Sequence, residues 1–380
     1  MNLWLTKDRK GKKIFDENYK RRKRRTHMKI RIAILEQDKN YLQRLLSAFE
    51  TKYEDKIEMY SFTDEKLALN AVKNNKINVF LSGDKFAVTK NQMPEKCGFG
   101  YLVDTPDIET LNDEKAICKF QKIDLIYKEI VSLYSENVLD KIKNYDEGSA
   151  RIIAFTSPSG GTGASTMAVA SARYFAKCGK KTLYFNTEEL GDSNVYFMGE
   201  GQFTFDDLIY AVKSKKANMT LKFESTVKQD ISGVYFFSPG NKALDVIDLS
   251  RDEISQMIVD LKMSGIFDVI IWDMDYSFDE LRSDHMELVS DIVLVSDGLE
   301  LSISKFRRMY ESLEVLERQR KVDVMDKMWI VYNKFSNKMS RSVGVDDIRE
   351  LGGAPRYEHA TVNQIIEQLL KLNLYEKLLM

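Results

Sequence analysis

Between Lys29 and Tyr332, short apolar, β-branched runs alternate with segments of helical period, and this alternation limits the fold more than any other feature. Lys29–Leu35, Ile57–Phe62, Ile77–Leu81, Gly98–Val103 and Lys115–Cys118 read as strands. After the first of them, Tyr41, Leu42, Leu45, Leu46 and Phe49 recur at the spacing of one helix face. Leu67, Ala71 and Val72 mark a second helix, and Asp124 is placed to N-cap a third carrying Leu125, Ile126, Ile130 and Leu133. Repeated β-α alternation over residues 28–136 implies a small doubly wound domain.

Residues 137–150 are polar and aperiodic, and read as a linker. Arg151–Thr156 opens a second series, with further strands expected at Lys181–Phe185, Gly233–Phe237, Phe267–Trp272, Asp291–Val295 and Met328–Tyr332. Helices fall between them, among them Ser304–Arg320 and one around Asp206–Lys213. The fold class is α/β with two doubly wound domains, the larger over 151–380. The chain has 380 residues, 43% of them apolar, enough to bury two cores. Apolar runs stay short of the ~18 residues of a membrane span, and no apolar segment follows the basic N-terminal stretch, so neither a span nor a secretory signal is expected. Cys97, Cys118 and Cys178 lie far apart, as do His27, His285 and His359, which excludes a disulfide framework, a CxxC centre and a histidine metal site. A reducing cytoplasm is the expected compartment.

The net charge of −1 hides an asymmetry. Residues 1–27 carry 11 Lys/Arg against 3 Asp/Glu, leaving 46 basic and 55 acidic residues beyond them, a net charge of −9. A duplex-DNA reader usually shows a basic folded part, so nucleic acid is disfavoured as a partner. The block Lys20–Arg25 suits an anionic surface, but the favoured reading of 1–27 is a disordered basic leader, or an extension ahead of a start at Met28.

The chemistry is concentrated in Arg151–Ala170. An apolar strand runs into Ser157-Pro158-Ser159-Gly160-Gly161-Thr162-Gly163 and then into an Ala-rich helix from Ala164. Glycines allow positive φ and close approach of an anion. Consecutive N–H groups and the helix N-terminus then favour phosphate, and Ser165 is placed to offer a hydroxyl to Mg²⁺. A bare βα turn is the alternative, and the flanking strand and helix favour phosphate over it.

The segment SPSGGTGAST resembles the deviant Walker A loop of the ParA/MinD family of P-loop ATPases. That family has lysines where this chain has Ser159 and Ala164, while the hydroxyls Ser165 and Thr166 are kept. Pro158 stands where the ordinary P-loop pattern begins with glycine. Leu183–Glu188 resembles the strand ending in the family's switch acids, with Asn186 and Glu188 at the acid positions. FDVIIWD, ending at Asp273, resembles the Walker B strand, and Ile330–Lys334 the strand whose asparagine, here Asn333, reads adenine. Gly352–Pro355 resembles the loop that closes over the base. The resemblance implies a site for ATP and Mg²⁺. Ser159, Gly160, Gly161, Thr162, Gly163, Ala164, Ser165, Thr166, Asn333 and Pro355 would hold the nucleotide. Ser165 and Asp273 would hold the metal, the latter through water; at the catalytic positions Glu188 would keep part of the placing of the attacking water, which Asn186, standing where the family has an acid, weakens.

Residues 28–136 resemble a response-regulator receiver with a degraded site. Glu36 and Gln37 stand where receivers carry an acid pair, with Asp38 next; Ser82 stands at the phospho-acceptor position, Asp84 falls two residues late, and Lys119 sits near the receiver lysine. A serine cannot form the acyl phosphate, so a pseudo-receiver is expected, serving docking or dimerisation.

A pseudo-receiver fused to a ParA/MinD-like domain without its loop lysines resembles the TadZ/CpaE family of the Tad (Flp-type) pilus system. That resemblance implies a homodimeric, ATP-binding localisation factor for Tad/Flp pilus assembly proteins, cytoplasmic and placed at a pole or beside a membrane assembly, with slow or absent hydrolysis. A cycling ParA/MinD-type ATPase, and a receiver-effector protein binding DNA through the basic leader, stand as alternatives. The apolar stretch from Val362 has balanced charge (Glu367, Lys371, Glu376, Lys377), so a helix docked on the domain is favoured over a membrane-binding one.

Overall fold

The computed structural model describes residues 29–74, 76–136, 150–215, 217–281, 284–319, 324–345 and 347–379. The leader, 1–27, and nearly all of the expected linker, 137–149, lie outside the described residues. Two compact units divide between Ile126 and Tyr127.

The first unit contains β1 (Ile30–Leu35), α1 (Lys39–Tyr53), β2 (Ile57–Phe62), α2 (Glu65–Asn74), β3 (Val79–Gly83), β4 (Gly98–Val103), β5 (Thr110–Leu111) and β6 (Glu114–Cys118). The division falls inside the next element, α3 (Ile123–Ser135). The sheet runs β2-β1-β3-β4-β6-β5, parallel except for the short β5. β3 and β4 are buried along their whole length, which is why they read as unbroken apolar runs rather than alternating ones. Asp38 caps α1, its carboxylate accepting from the N–H groups of Asn40 and Tyr41. The expected cap at Asp124 is corrected: α3 starts at Ile123, and the Asp124 carboxylate accepts from Tyr53 Oη and Lys52 Nζ instead.

The second unit contains β7 (Arg151–Thr156), α4 (Ala164–Lys177), β8 (Thr182–Asn186), α5 (Phe205–Ser214), α6 (Met219–Thr226), β9 (Lys228–Gln229), β10 (Tyr235–Phe236), α7 (Ala243–Ile247) and α8 (Arg251–Met263). There follow β11 (Val269–Asp273), α9 (Phe278–Leu281), β12 (Asp291–Ser296), α10 (Glu300–Arg318), β13 (Met328–Phe335), β14 (Arg349–Pro355) and α11 (Val362–Leu369). The sheet order is β14-β13-β12-β7-β11-β8-β10-β9, parallel except for β9. β7 lies between β12 and β11, and the chain leaves it in one direction to return later on the other side. A crevice therefore opens at its carboxyl end, where α/β sheets hold ligands. The register brings the strand ends level: Asp273 stands opposite both Phe155 of β7 and Asn186 of β8.

One expected element differs. Gly352–Pro355, read as a loop, forms the end of β14, with Gly353 opposite Tyr332 and Pro355 opposite Phe335. Two glycines and a proline are poor strand formers, and an edge position tolerates them.

The apolar tail is docked. Ile366, Leu369, Leu374, Tyr375 and Leu378 are buried together with Met167, Val169 and Phe175 of α4. The Tyr375 hydroxyl donates to the Met167 carbonyl at 3.1 Å, and Arg151, paired with Asp291, also donates to the carbonyl of Leu378. Each buried leucine contributes about 1.5–3 kcal/mol.

Candidate functional site

The loop 157–163 leads from β7 into α4. Gly161 (φ +78°) and Gly163 (φ +87°) occupy the left-handed region. At Gly160 and Gly161 no atom lies within 4 Å of where a Cβ would stand, so the crown of the loop faces open space. At Gly163 a Cβ would come within 2.5 Å of Asn333 Nδ2. The Ser157 hydroxyl sits between the carbonyls of Val295 (2.7 Å) and Ser159 (2.9 Å), fixing the start of the loop. From β13, Asn333 Nδ2 donates to the Thr162 carbonyl at 2.8 Å, its Oδ1 accepts from Lys334 N–H at 3.0 Å, and Lys334 Nζ donates to the Gly161 carbonyl at 2.6 Å. The Ser159 hydroxyl is buried and has no partner among the described residues.

A cluster of oxygens lies beside the first turn of α4. Asp273 is fully buried; its Oδ2 accepts from Tyr184 Oη at 2.6 Å, and Asn186 Nδ2 donates to Tyr184 Oη at 3.2 Å. Asn186 Oδ1 accepts from Glu188 N–H at 2.8 Å, and the Ser165 hydroxyl meets both Glu188 oxygens at 3.1 Å. Among the described residues Asp273 Oδ1 has no hydrogen-bond partner within ordinary distance. Gly191 leaves the room Asn186 needs: a Cβ there would collide with the amide. Trp272 Nε1 donates to Thr187 Oγ1 at 2.8 Å and pins the segment between the acids.

Burial first, and the charge of Glu188 second, push the Asp273 carboxyl up to about 8, although the Tyr184 hydroxyl pulls it down. Glu188 is also raised, by burial and by Asp275, against the hydrogen bonds from Ser165 and Asn186. Two raised acids side by side, one of them raised in part by the charge of the other, mark a pocket short of positive charge. Their hard oxygens, with the Ser165 hydroxyl, fit Mg²⁺, which keeps several waters and takes phosphate oxygens. Among the described residues no three His, Cys, Asp or Glu side chains gather into a metal-binding set.

The structure thus draws together Ser159–Thr166, Asn333, Asn186, Glu188 and Asp273. Thr166 lies against the Tyr196 hydroxyl, and Ala164 opens α4 with only a methyl group. Asn333, expected at an adenine edge, has donor and acceptor engaged with backbone beside Gly163. Pro355 stands at the end of the edge strand β14, three strands from β7. Sequence reasoning missed Tyr184 and Lys334. The first shares a strand face with Asn186, two residues on, and was within reach of spacing alone; the second follows Asn333, but its reach to the Gly161 carbonyl is made only by the fold.

The receiver pocket holds a closed ion network. Glu36 Oε1 accepts from the N–H groups of Gln37 and Asp38, and Oε2 from Lys119 Nζ at 2.9 Å; Lys119 also meets Asp104 at 2.7 Å. Burial would lower the Lys119 ammonium, but hydrogen bonds to Asp104 and Glu36 outweigh it and raise it. The acceptor position is corrected by one residue. The backbone facing Glu36 is that of Gly83, where a Cβ would lie 2.9 Å from Oε2, while Ser82 is buried and donates to the Gly83 carbonyl. Where a receiver carries its phosphorylated side chain, this domain has no side chain.

The two sheets, the glycine loop at the central strand and the closed acid pocket define an α/β protein made of a receiver-like domain and a doubly wound P-loop-type domain. Residues 28–135 match the model of the family described as "TadZ-like, receiver domain". Solved structures similar to the chain include a ParA family ATPase from Chlorobium tepidum (15% identity, 60% of this chain, 93% of that one, TM-score 0.45). Also similar are the cell division ATPase MinD of Pyrococcus furiosus (16%, 60% and 99%, 0.44) and the septum site-determining protein MinD of Pyrococcus horikoshii, complexed with Mg-ADP (18%, 55% and 82%, 0.42). No curated protein matches the chain.

Proposed function

We propose that the chain is a nucleotide-controlled scaffold: the larger domain binds Mg·ATP at the 157–166 loop, forms a homodimer and recruits Tad/Flp pilus assembly proteins, with hydrolysis slow or absent. One observation carries this reading. A preformed glycine nest opens beside Ser165, Glu188 and Asp273, yet both positions that would carry a loop lysine hold Ser159 and Ala164. Bound Mg²⁺ would neutralise phosphate charge, and Ser165 with Asp273 would hold it. The loop N–H groups would bind and orient the phosphates, while Asn186 and Glu188 stand where an attacking water would be aligned. Without a cation at residue 164, stabilisation of the transferred phosphoryl group is weakened more than binding.

No helix among the described residues is long and apolar enough to cross a membrane. A cytoplasmic protein held at a membrane assembly through its partners accords with that, and with the buried face of α11. Native mass spectrometry of the full chain with and without Mg·ATP tests the reading: a dimer carrying nucleotide is expected. A monomer without nucleotide at tens of micromolar protein and millimolar Mg·ATP would refute it. A turnover of ordinary P-loop ATPase size would favour the cycling enzyme instead.

A further inference from the structure

We propose that Lys334 supplies the positive charge that the loop itself lacks and is the residue that sets its preference for polyphosphates. This rests on the nucleotide-binding reading above and deepens it. Within β13, where the pairing with β14 shifts register between Tyr332 and Phe335, Lys334 takes φ +56°, a left-handed conformation that a lysine adopts at a cost, and its side chain lies across the loop. The ammonium donates to the Gly161 carbonyl at 2.6 Å, and Cε passes 3.8 Å from where a Gly163 Cβ would stand. Its exposure leaves the terminal bonds free to turn, so the same ammonium can reach an anion seated over the open crown at Gly160 and Gly161.

The contact also orients the loop. A trans peptide directs its C=O and N–H to opposite sides. Lys334 holds the Gly161 carbonyl and Asn333 holds the Thr162 carbonyl, both on the side of β13. The N–H groups of Thr162 and Gly163 are thereby turned away from β13. Two consecutive donors thus face one side, which is what an anion nest requires. A full charge at the rim then adds to the partial charges of the nest and the helix. The side chains at 159 and 164 add no charge.

The test is titration of the full chain with Mg·ATP and separately with AMP, for wild type, Lys334→Gln, Lys334→Ala, and Lys334→Gln combined with Ala164→Lys. The glutamine keeps a donor for the Gly161 carbonyl and loses only the charge. A charge-assisted contact predicts a 10- to 100-fold loss of Mg·ATP affinity in Lys334→Gln, at most a few-fold loss for AMP, and a shallower dependence of ATP affinity on salt. Ala164→Lys in that background should restore most of the loss. Unchanged ATP affinity in Lys334→Gln, or equal losses for ATP and AMP, would overturn the proposal. So would a melting temperature lowered in Lys334→Gln as far as in Lys334→Ala, which would assign Lys334 to holding the loop folded. If wild type binds neither ligand, the nucleotide-binding reading itself fails and Lys334 has no such role; binding by wild type that is indifferent to Lys334 overturns the present proposal alone.

Discussion

Replacing Asp273 by asparagine should stabilise the ligand-free protein while removing its response to Mg·ATP. The carboxyl is buried, bonded on one oxygen by Tyr184 and unpartnered on the other, and is pushed up to about 8 beside Glu188. The folded state therefore keeps a proton that the unfolded chain, with an aspartate near its ordinary value, releases. Stability is fully present below about pH 4 and is lost as pH rises towards 8, at about 1.4 kcal/mol per pH unit. Because Glu188 is raised as well and its charge acts on Asp273, a loss of about 2 kcal/mol between pH 6 and pH 8 is expected. For a domain of this size that is roughly 4–8 °C in melting temperature. Asparagine has the same shape, accepts from Tyr184 through Oδ1 and carries no charge. Melts of the full chain at pH 6, 7 and 8 should show the wild-type transition of the larger domain falling with pH and the Asp273→Asn transition nearly level. At pH 8 the variant should be more stable by about 2–4 kcal/mol. Saturating Mg·ATP should flatten the wild-type dependence and leave the variant unmoved. A variant less stable than wild type at pH 8, or a wild-type slope that survives the substitution, would refute the account of this pocket.

Four further outcomes are expected. Acetyl phosphate should leave the intact mass of the chain unchanged, since Gly83 offers no side chain and Lys119 already neutralises Glu36 and Asp104; a stoichiometric adduct on Asp84 would contradict this. Glu36→Ala should lower the stability of the receiver-like domain by about 3 kcal/mol, read in denaturant melts, because it leaves the buried Lys119 ammonium with one exposed partner. Ala164→Lys should tighten Mg·ATP binding by about tenfold in titration, and no change would mean that the loop does not hold phosphates. Leu378→Ala should cost about 2–5 kcal/mol, since the leucine is fully buried against α4, and a neutral result in melts would show that the tail is not docked.

The two sheets were legible because their central strands are unbroken apolar runs, and the glycine loop because strand, glycines and hydroxyls follow one another locally. Other features depend on partners far away in the chain. β14 carries GGAP, which by propensity is a turn, and only pairing with β13 makes it a strand. Gly83 and Ser82 differ by one residue along β3, and only the approach to Glu36 decides which faces the pocket. Asp124 looks like a cap until Lys52 and Tyr53 are brought up to it. In the loop, Asn333 and Lys334 act on carbonyls some 170 residues earlier, |i−j| being 171 and 173, a relation no local pattern contains.

The buried Tyr375 and the hold of Arg151 on the Leu378 carbonyl join parts of the larger domain that are 208 and 227 residues apart. β7, the first strand of that sheet, sits at its centre, with β12 added beside it only after most of the domain has been made. During synthesis the glycine loop therefore emerges early, but β7 gains both flanking strands only when residue 296 has been made, and α4 gains the tail that packs on it only when residue 378 has been made. Such distant closures make folding slow and leave apolar strand edges open meanwhile. Expression as two fragments cut within this domain should fail for that reason, whereas the first unit, whose strands pair with near neighbours in sequence, is suited to fold while the rest is still being translated.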